Sequence, residues 1–432
     1  MTKNKSQNTI SRYERMKKTS TVHLAMEYAK SLKEVVDDFP YNPESMYFFY
    51  DRMNAFLDAE NTDLANKKVI ATSCIFVPEE IIYALGAIPL RICNGAYSYD
   101  QIGAEFMPAK ACPLVKSTIG QLHVNNFPMG AKPQLIVNPT SCDYKKKMPE
   151  VETASEIEFY TLELPATKET EASKSYWIQS IDAFIKKLEK TTGNKLTRKK
   201  LKEAINLVSQ AQQQYRRLHT IRKQGPVIWG KDVILLSNSY FFEDIRKWTE
   251  QLEKLNDELE VRVENKQYVV KENAPKILLT GSPSIFPNLK TPVLIEQMGG
   301  LIVADEFCSS NRLLYDTVAV DEWFLYDMIP ALADRYLKPC TCPNLTPNTD
   351  RDRKLINTAK EFSADGVIYQ AFAGCQLYEM ESLRIAKKLE QEGIPMLYIE
   401  TDYNPDDLGQ LSTRIEAFLE SLKAKKSKTQ IA

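Results

Sequence analysis

The sequence predicts an α/β protein built from two facing parallel-sheet domains, Rossmann-like or flavodoxin-like, together with a helical domain. Three observations carry this. Short apolar, β-branched runs alternate with helical segments towards both ends of the chain, at the spacing of right-handed βαβ crossovers. The two ends echo one another: IIYALGAIPLRI parallels LIEQMGGLIVAD, matching Gly86 to Gly299, and LIVNPTSC parallels VIYQAFAGC, matching Cys142 to Cys375. Between them the apolar residues recur at three- and four-residue intervals, the period of an amphipathic helix.

Taken in order, residues 1–64 read as N-terminal helices, from TVHLAMEYAKSLKEVVDDF and PESMYFFYDRMNAFLDA. They are expected to pack with the central hairpin as one helical layer. Residues 65–165 form the first α/β domain. It opens with the strand KKVIATSC, passes into a helix with Pro78 and two glutamates in its first turn, stops at Gly86, and enters a second strand, PLRIC. PQLIVNPTSC is a further strand. Residues 166–272 are a helical insert and linker. Residues 173–223 read as a helical hairpin turning at Gly193 and Asn194, and the charged NDELEVRVENKQYVVKENAP as the linker. Residues 273–432 form the second α/β domain, with strands in PKILLTGSPS, GGLIVADEFC, DGVIYQAFAGC and IPMLYIETDY.

Composition narrows the function classes. With 432 residues, 43% hydrophobic and 26% charged, the chain can bury sizeable cores. Its 56 basic and 57 acidic side chains nearly cancel, so no global field recruits nucleic acid or an anionic membrane. The basic run from Arg198 to Lys202 reads as a solvated helix face. The first residues, MTKNKSQNTISRYERMKK, are polar and lack an apolar signal core, and no long apolar run follows, so a cytoplasmic protein is expected. In that reducing compartment the eight cysteines are expected as ligands or buried small hydrophobes, not disulfides.

Six of those cysteines fall into two widely spaced trios. They are Cys74, Cys112 and Cys142, then Cys308, one of Cys340 and Cys342, and Cys375. Wide spacing suits thiols delivered one at a time by the loops after successive strands, where α/β sheets bind their ligands. Cys74 follows a strand and precedes a helix, where backbone N–H groups favour a thiolate. Pro113 places Cys112 just ahead of a helix, and Lys145, Lys146 and Lys147 follow Cys142, offsetting thiolate charge. Cys93, inside the strand PLRIC, reads as a packed small hydrophobe. The competing reading of the whole set is structural, since free cysteines are common in cores. The chain has 3 histidines, so a metal here would be held by thiolates, which suits zinc or iron–sulfur clusters. GPVIWGKD approaches the phosphate-loop pattern but puts Asp232 in place of the hydroxyl and follows a helix, so it reads as chance.

The strings VIATSCIFVPEEIIYALGAIPLRI, CPLVKSTIG, NPTSCDYKKK, ADGVIYQAFAGC and GIPMLYIETDYNPDDLGQLSTRIEAFLE, spread over residues 65–425, resemble the iron–sulfur subunits of the 2-hydroxyacyl-CoA dehydratase and benzoyl-CoA reductase group. That resemblance implies a 4Fe-4S cubane on three cysteines and low-potential electrons from a separate ATP-hydrolysing activator with its own 4Fe-4S cluster. The second trio departs from the dehydratase pattern. It resembles instead the double-cubane proteins of the same superfamily, in which two cubanes joined by a sulfide form an 8Fe-9S cluster. By that resemblance Cys74, Cys112 and Cys142 would hold one half, and Cys308, Cys340 and Cys375 the other, with Cys342 as the alternative to Cys340. The implied protein is a homodimeric, oxygen-sensitive reductase of small, hard-to-reduce molecules such as acetylene. The alternatives are a single-cubane dehydratase or benzoyl-CoA reductase subunit, and a non-catalytic electron store.

Overall fold

The computed structural model describes residues 12–55, 61–151 and 155–431. Two helices, α1 (Arg12–Val36) and α2 (Met46–Ala55), lead into the first unit. That unit runs β1 (Val69–Thr72), α3 (Glu79–Ala84), β2 (Ile88–Arg91), α4 (Tyr97–Gly103), α5 (Pro113–His123), β3 (Pro133–Pro139), α6 (Asp143–Val151) and β4 (Phe159–Leu162). Four helices follow: α7 (Glu171–Thr192), α8 (Arg198–Arg222), α9 (Gly230–Ser239) and α10 (Ile245–Glu264). The second unit runs β5 (Lys276–Gly281), α11 (Lys290–Gln297), β6 (Leu301–Asp305), α12 (Asn311–Leu314), α13 (Leu325–Leu337), α14 (Thr349–Glu361), β7 (Gly366–Phe372), α15 (Gln376–Gln391), β8 (Met396–Thr401) and α16 (Leu408–Ile431).

Each unit holds one four-stranded parallel sheet, ordered β2-β1-β3-β4 and β6-β5-β7-β8. The α/β class with two parallel sheets is therefore the observed fold, and the internal echo is a shared strand order. In such an order the chain reverses direction between β1 and β3, and again between β5 and β7. The crevice beyond the carboxyl ends of those strands is where ligands sit. The central strands are buried except at Gln134 of β3 and Lys276 of β5, as parallel strands covered on both faces must largely be.

The charged stretch from residue 256 opens as the second half of α10, whose Leu252, Leu255 and Leu259 are buried on one face, and its end lies outside any helix before β5. The strand β4 was not expected; it is short and lies at the sheet edge. The Gly193 turn does close α7, with φ of 71°, and α8 follows as the second arm of the hairpin. The N-terminal helices pack on α4 and α9, and Phe49 meets Trp248 of α10 edge to face.

The two units meet closely. Gly95 donates to Phe286 O at 3.3 Å, and a Cβ there would lie 1.7 Å from Ile285 O. A Cβ on Gly374 would lie 1.9 Å from Lys110 O. Tyr336 of α13 donates to Glu80 at 2.8 Å and accepts from the Glu79 N–H at 3.1 Å, tying α13 to the start of α3. Among the described residues no helix is long and apolar enough to cross a membrane.

The phosphate-loop-like stretch is filled by protein. The N–H groups of Gly230 and Lys231 both donate to the Glu296 carboxylate, at 2.7 and 3.1 Å, and the fully buried Lys231 ammonium sits 2.7 Å from Asp232. No donor is left to cradle a phosphate. Burial pushes the Glu296 carboxyl up to about 7, against the pull of Lys231 and the three backbone N–H groups it accepts from. A carboxyl raised in the folded state stabilises fully below its unfolded value near 4.5, and that contribution is lost as pH rises through about 7. Urea midpoints measured from pH 5 to pH 8 are expected to fall with rising pH, by the equivalent of about 3 kcal/mol. Glu296→Gln should flatten that slope; an unchanged slope would count against this assignment.

Candidate metal centre

All eight cysteines are free thiols, and six of them lie just beyond a strand end or beside a helix start. Cys74 follows β1, Cys93 follows β2 and Cys142 follows β3; Cys308 follows β6 and Cys375 follows β7. Cys112 occupies the N-cap of α5 with Pro113 behind it, and Cys375 occupies the N-cap of α15. Cys340 and Cys342 lie on the loop between α13 and α14. That loop is pinned: Lys168 donates to Cys340 O at 2.9 Å and Asn348 to Cys342 O at 3.1 Å.

The local folding supplies N–H donors to sulfur. Backbone N–H groups of Phe76, Leu114, Lys145 and Tyr378 point at the sulfurs of Cys74, Cys112, Cys142 and Cys375. The N–H groups of Cys342 and Asn344 do the same for Cys340 and Cys342. These are the donors that a helix start or tight loop leaves unused, and charge-assisted bonds from them favour a thiolate.

The thiols meet across the seam between the units. Cys112 donates to the sulfur of Cys375, and both sense Cys142. Cys74 lies in the field of Cys308, Cys340 and Cys342, and Cys308 also senses Cys93. In space, then, Cys375 of the second unit neighbours Cys112 and Cys142 of the first. Cys74 of the first neighbours the thiols of the second.

Three cations face this set. Arg91 donates to Thr72 at 3.1 Å and pairs with Glu79 at 3.1 Å. Lys145 donates to Ser73 O and is raised: burial works against its charge, and Cys74, Cys93, Cys142 and Cys308 outweigh it. Cys74 shows the converse. Burial disfavours its thiolate, yet Lys145, the Phe76 N–H, Arg91 and Ser141 hold it below the usual thiol range. Where the opposing help is weaker, burial wins, as for Cys308, pushed up to about 11. Arg312 is the third cation, fully buried on Glu306, which also accepts from Thr280 and Thr341 and pairs with Arg351. The Arg312 Nε donates to Glu306 O and its Nη2 to Tyr378, while Nη1 has no partner. The thiols in its field are Cys308, Cys340 and Cys342.

The residues present fit an anionic sulfur cluster. The donor set is thiol, six of the eight sulfurs receive a backbone N–H, and a buried guanidinium nitrogen is left with unused hydrogens beside them. An isolated thiolate trio buried without such donors would be far costlier.

The family model described as 2-hydroxyglutaryl-CoA dehydratase, D-component, matches residues 74–422, opening on Cys74 and spanning every other cysteine. The chain belongs to this family. Its relatives include a protein of Escherichia coli (strain K12) named "Putative dehydratase subunit YjiM", 30% identical over 375 residues, covering 86% of this chain and 96% of the relative. The (R)-2-hydroxyglutaryl-CoA dehydratase subunit beta of Acidaminococcus fermentans is 26% identical over 373 residues, covering 82% and 93%. A benzoyl-CoA reductase subunit of Thauera aromatica is 23% identical over 372 residues, covering 83% and 92%. The expected kinship with dehydratases and benzoyl-CoA reductases is thus shown, and these relatives of the D-component chain are by name enzyme subunits.

Sequence reasoning set Cys93 apart because it placed this residue inside a strand. In this D-component fold β2 ends at Arg91, so Cys93 lies past the strand end, half-buried, its thiol donating to Ser73 O at 3.2 Å. The shared strand order carried the signal: Cys93 follows β2 as Cys308 follows β6. Arg91 and Arg312 left no trace in the sequence as partners of the thiols. Each is a single basic residue whose direction only the tertiary packing sets.

Proposed function

We propose that this D-component protein is an iron–sulfur reductase holding an 8Fe-9S double cubane on Cys74, Cys112, Cys142, Cys308, Cys340 and Cys375, with Cys342 as the alternative to Cys340. The observation that carries the reading is the convergence of thiols from both units at one seam, more than a single three-cysteine cubane uses. When bound, the cluster supplies low-potential single electrons to substrate. Those electrons come from a separate ATP-hydrolysing activator bearing its own 4Fe-4S cluster, and the protein works as a homodimer.

The chain's own contribution is positioning and insulation. The six thiolates fix the metal, and backbone N–H groups hold the sulfurs of Cys74, Cys112, Cys142, Cys340 and Cys375 in place. Arg91, Lys145 and Arg312 offset the negative charge. Ile92, Val115, Ile119, Phe372 and Tyr403, packed with Cys112, keep water from that side. Burial and hydrogen bonds to sulfur are the levers a protein has over such a potential.

Iron and acid-labile sulfide analysis of protein purified without oxygen tests the reading. About eight irons per chain are expected; about four, or zinc, would overturn the double cubane. A second reading draws on the names of the relatives, among them "subunit beta" and "beta subunit", which mark members of larger assemblies. A single-cubane subunit of that kind would need a different partner chain. Gel filtration of the protein expressed alone separates the two, because self-association supports the reductase and an obligate need for a second chain supports the alternative.

A further inference from the structure

A cavity of about 950 Å³ lies between α1, α4, residues 287–290 and the segment after β8. Its walls are mainly apolar, with Met26, Ile102, Leu289, Val293 and Leu408 exposed to it. Two of the charged groups lining it are engaged with protein: Glu27 caps the start of α4 through Tyr97 and Ser98, and Lys290 is held by Asp407 and Asn404 O; Arg15, Lys30 and Glu34 line its outer part. Tyr403 lines this cavity, is 3% exposed, and packs edge to face on Phe372 at 5.2 Å. Its hydroxyl has no hydrogen-bond partner, although buried phenol hydroxyls nearly always have one. The charged and titratable groups in its field are Cys112 first, then Cys93, Asp100 and Glu27. One face of the ring therefore belongs to the cavity, and the same side chain stands beside the thiols.

We propose that this cavity is the route by which substrate reaches the cysteines, and that Tyr403 stands at its inner end as the hydrogen-bond and proton donor to the substrate. The proposal deepens the reductase reading and rests on it. Reduction of an unsaturated bond needs protons as well as electrons. For acetylene, two electrons delivered by way of the activator and two protons give ethylene. Tyr403 presents one of those protons from its O–H, and the phenolate regains it from water in the cavity. The site would take a small, mostly apolar molecule with an unsaturated bond, since Ile102, Leu289, Val293 and Leu408 stand with Tyr403 in its wall.

The test compares the full-length wild type, Tyr403→Phe and Gln101→Trp, all purified without oxygen and assayed with activator, ATP, reductant and acetylene. Gln101 is an exposed residue at the cavity. Tyr403→Phe is expected to keep the wild-type iron content and the same reduced-state paramagnetic resonance spectrum. Its unfolding midpoint should be equal or higher, because a buried hydroxyl without a partner costs stability. Ethylene formation should drop about 100-fold, the scale of losing one preorganised donor. Gln101→Trp should raise KM and keep kcat. A Tyr403→Phe enzyme as fast as wild type, or an unfolding midpoint several degrees lower, overturns the donor role. An unchanged KM in Gln101→Trp overturns the route. These outcomes leave the reductase reading standing, whereas a wild type that carries zinc overturns both.

Discussion

Serine in place of Cys375 is expected to strip about half of the bound iron and to abolish reduction. The sulfur of Cys375 sits at the start of α15, where it receives the Tyr378 N–H and the Ser282 hydroxyl. It accepts from Cys112 across the seam, and this bond, more than any other cause, holds its thiol below the ordinary value. A serine oxygen keeps the shape and the donors but not the chemistry. It is hard where iron–sulfur ligation wants a soft thiolate, and it stays protonated at neutral pH. Because Cys375 lies among thiols of the first unit, its loss also removes the second unit's foothold on that side. Iron and sulfide per chain, measured after anaerobic purification, give the answer. Full iron in Cys375→Ser would remove this residue from the ligand set. Cys93→Ser is the matched control, expected to keep wild-type iron.

Arg351→Met is expected to cost about 3–5 kcal/mol of stability, the range for breaking a buried ion pair by deleting one partner. Arg351 is fully buried on α14 and holds three parts of the second unit at once. Its Nη2 lies 3.3 Å from Glu306, after β6, and 3.3 Å from the Thr280 hydroxyl at the end of β5; its Nη1 lies 2.5 Å from Glu381 on α15. Methionine fills similar space, so what is lost is charge. Burial alone would raise the Glu306 carboxyl; Arg312, Arg351 and Thr341 outweigh it and hold it below its usual range. A carboxyl lowered in the folded state contributes stability that is present above its unfolded value and is lost as pH falls through its folded value. The deficit of the variant should therefore be large at pH 7 and shrink under acid conditions. Urea denaturation at both pH values checks this, and the double variant Glu306→Gln with Arg351→Met should recover part of the loss. A deficit that is constant with pH would mean that packing, not charge, is what Arg351 supplies.

The second α/β unit was legible almost strand by strand. β5, β6 and β7 are largely apolar runs that burial on both faces produces, and the edge strand β8, though only half-buried with Glu400 exposed, keeps the apolar MLYI at its start. In the first unit β4 escaped because FYTL is short and only Leu162 is fully buried, so it lacks the apolar run of its neighbours. The charge of residues 256–264 hid a helix whose buried stripe is still visible in Leu252, Leu255 and Leu259. Charge density is a poor guide where one narrow face suffices to anchor a helix.

At the site, the loops that carry the cysteines could be read from strand ends, but their neighbours in space could not. The pairing of Cys112 with Cys375 depends on how one sheet is set against the other, and no spacing along the chain encodes that. Arg312 and Tyr403 are legible only by what they lack, a partner for a buried hydrogen, which is a property of the folded molecule alone.

The close approach of the two units at Gly95 and Gly374 bears on biogenesis. Backbone meets backbone there with no space for even a methyl group. An assembled cluster is far wider than that seam, and its proposed ligands are drawn from both sides of it. If the chain holds the proposed cluster, delivery of iron and sulfide would then precede the final docking of the units. A chain that docked empty would accept its cargo only as often as it came apart again, so in such a protein maturation, and not turnover, would set how quickly active molecules accumulate.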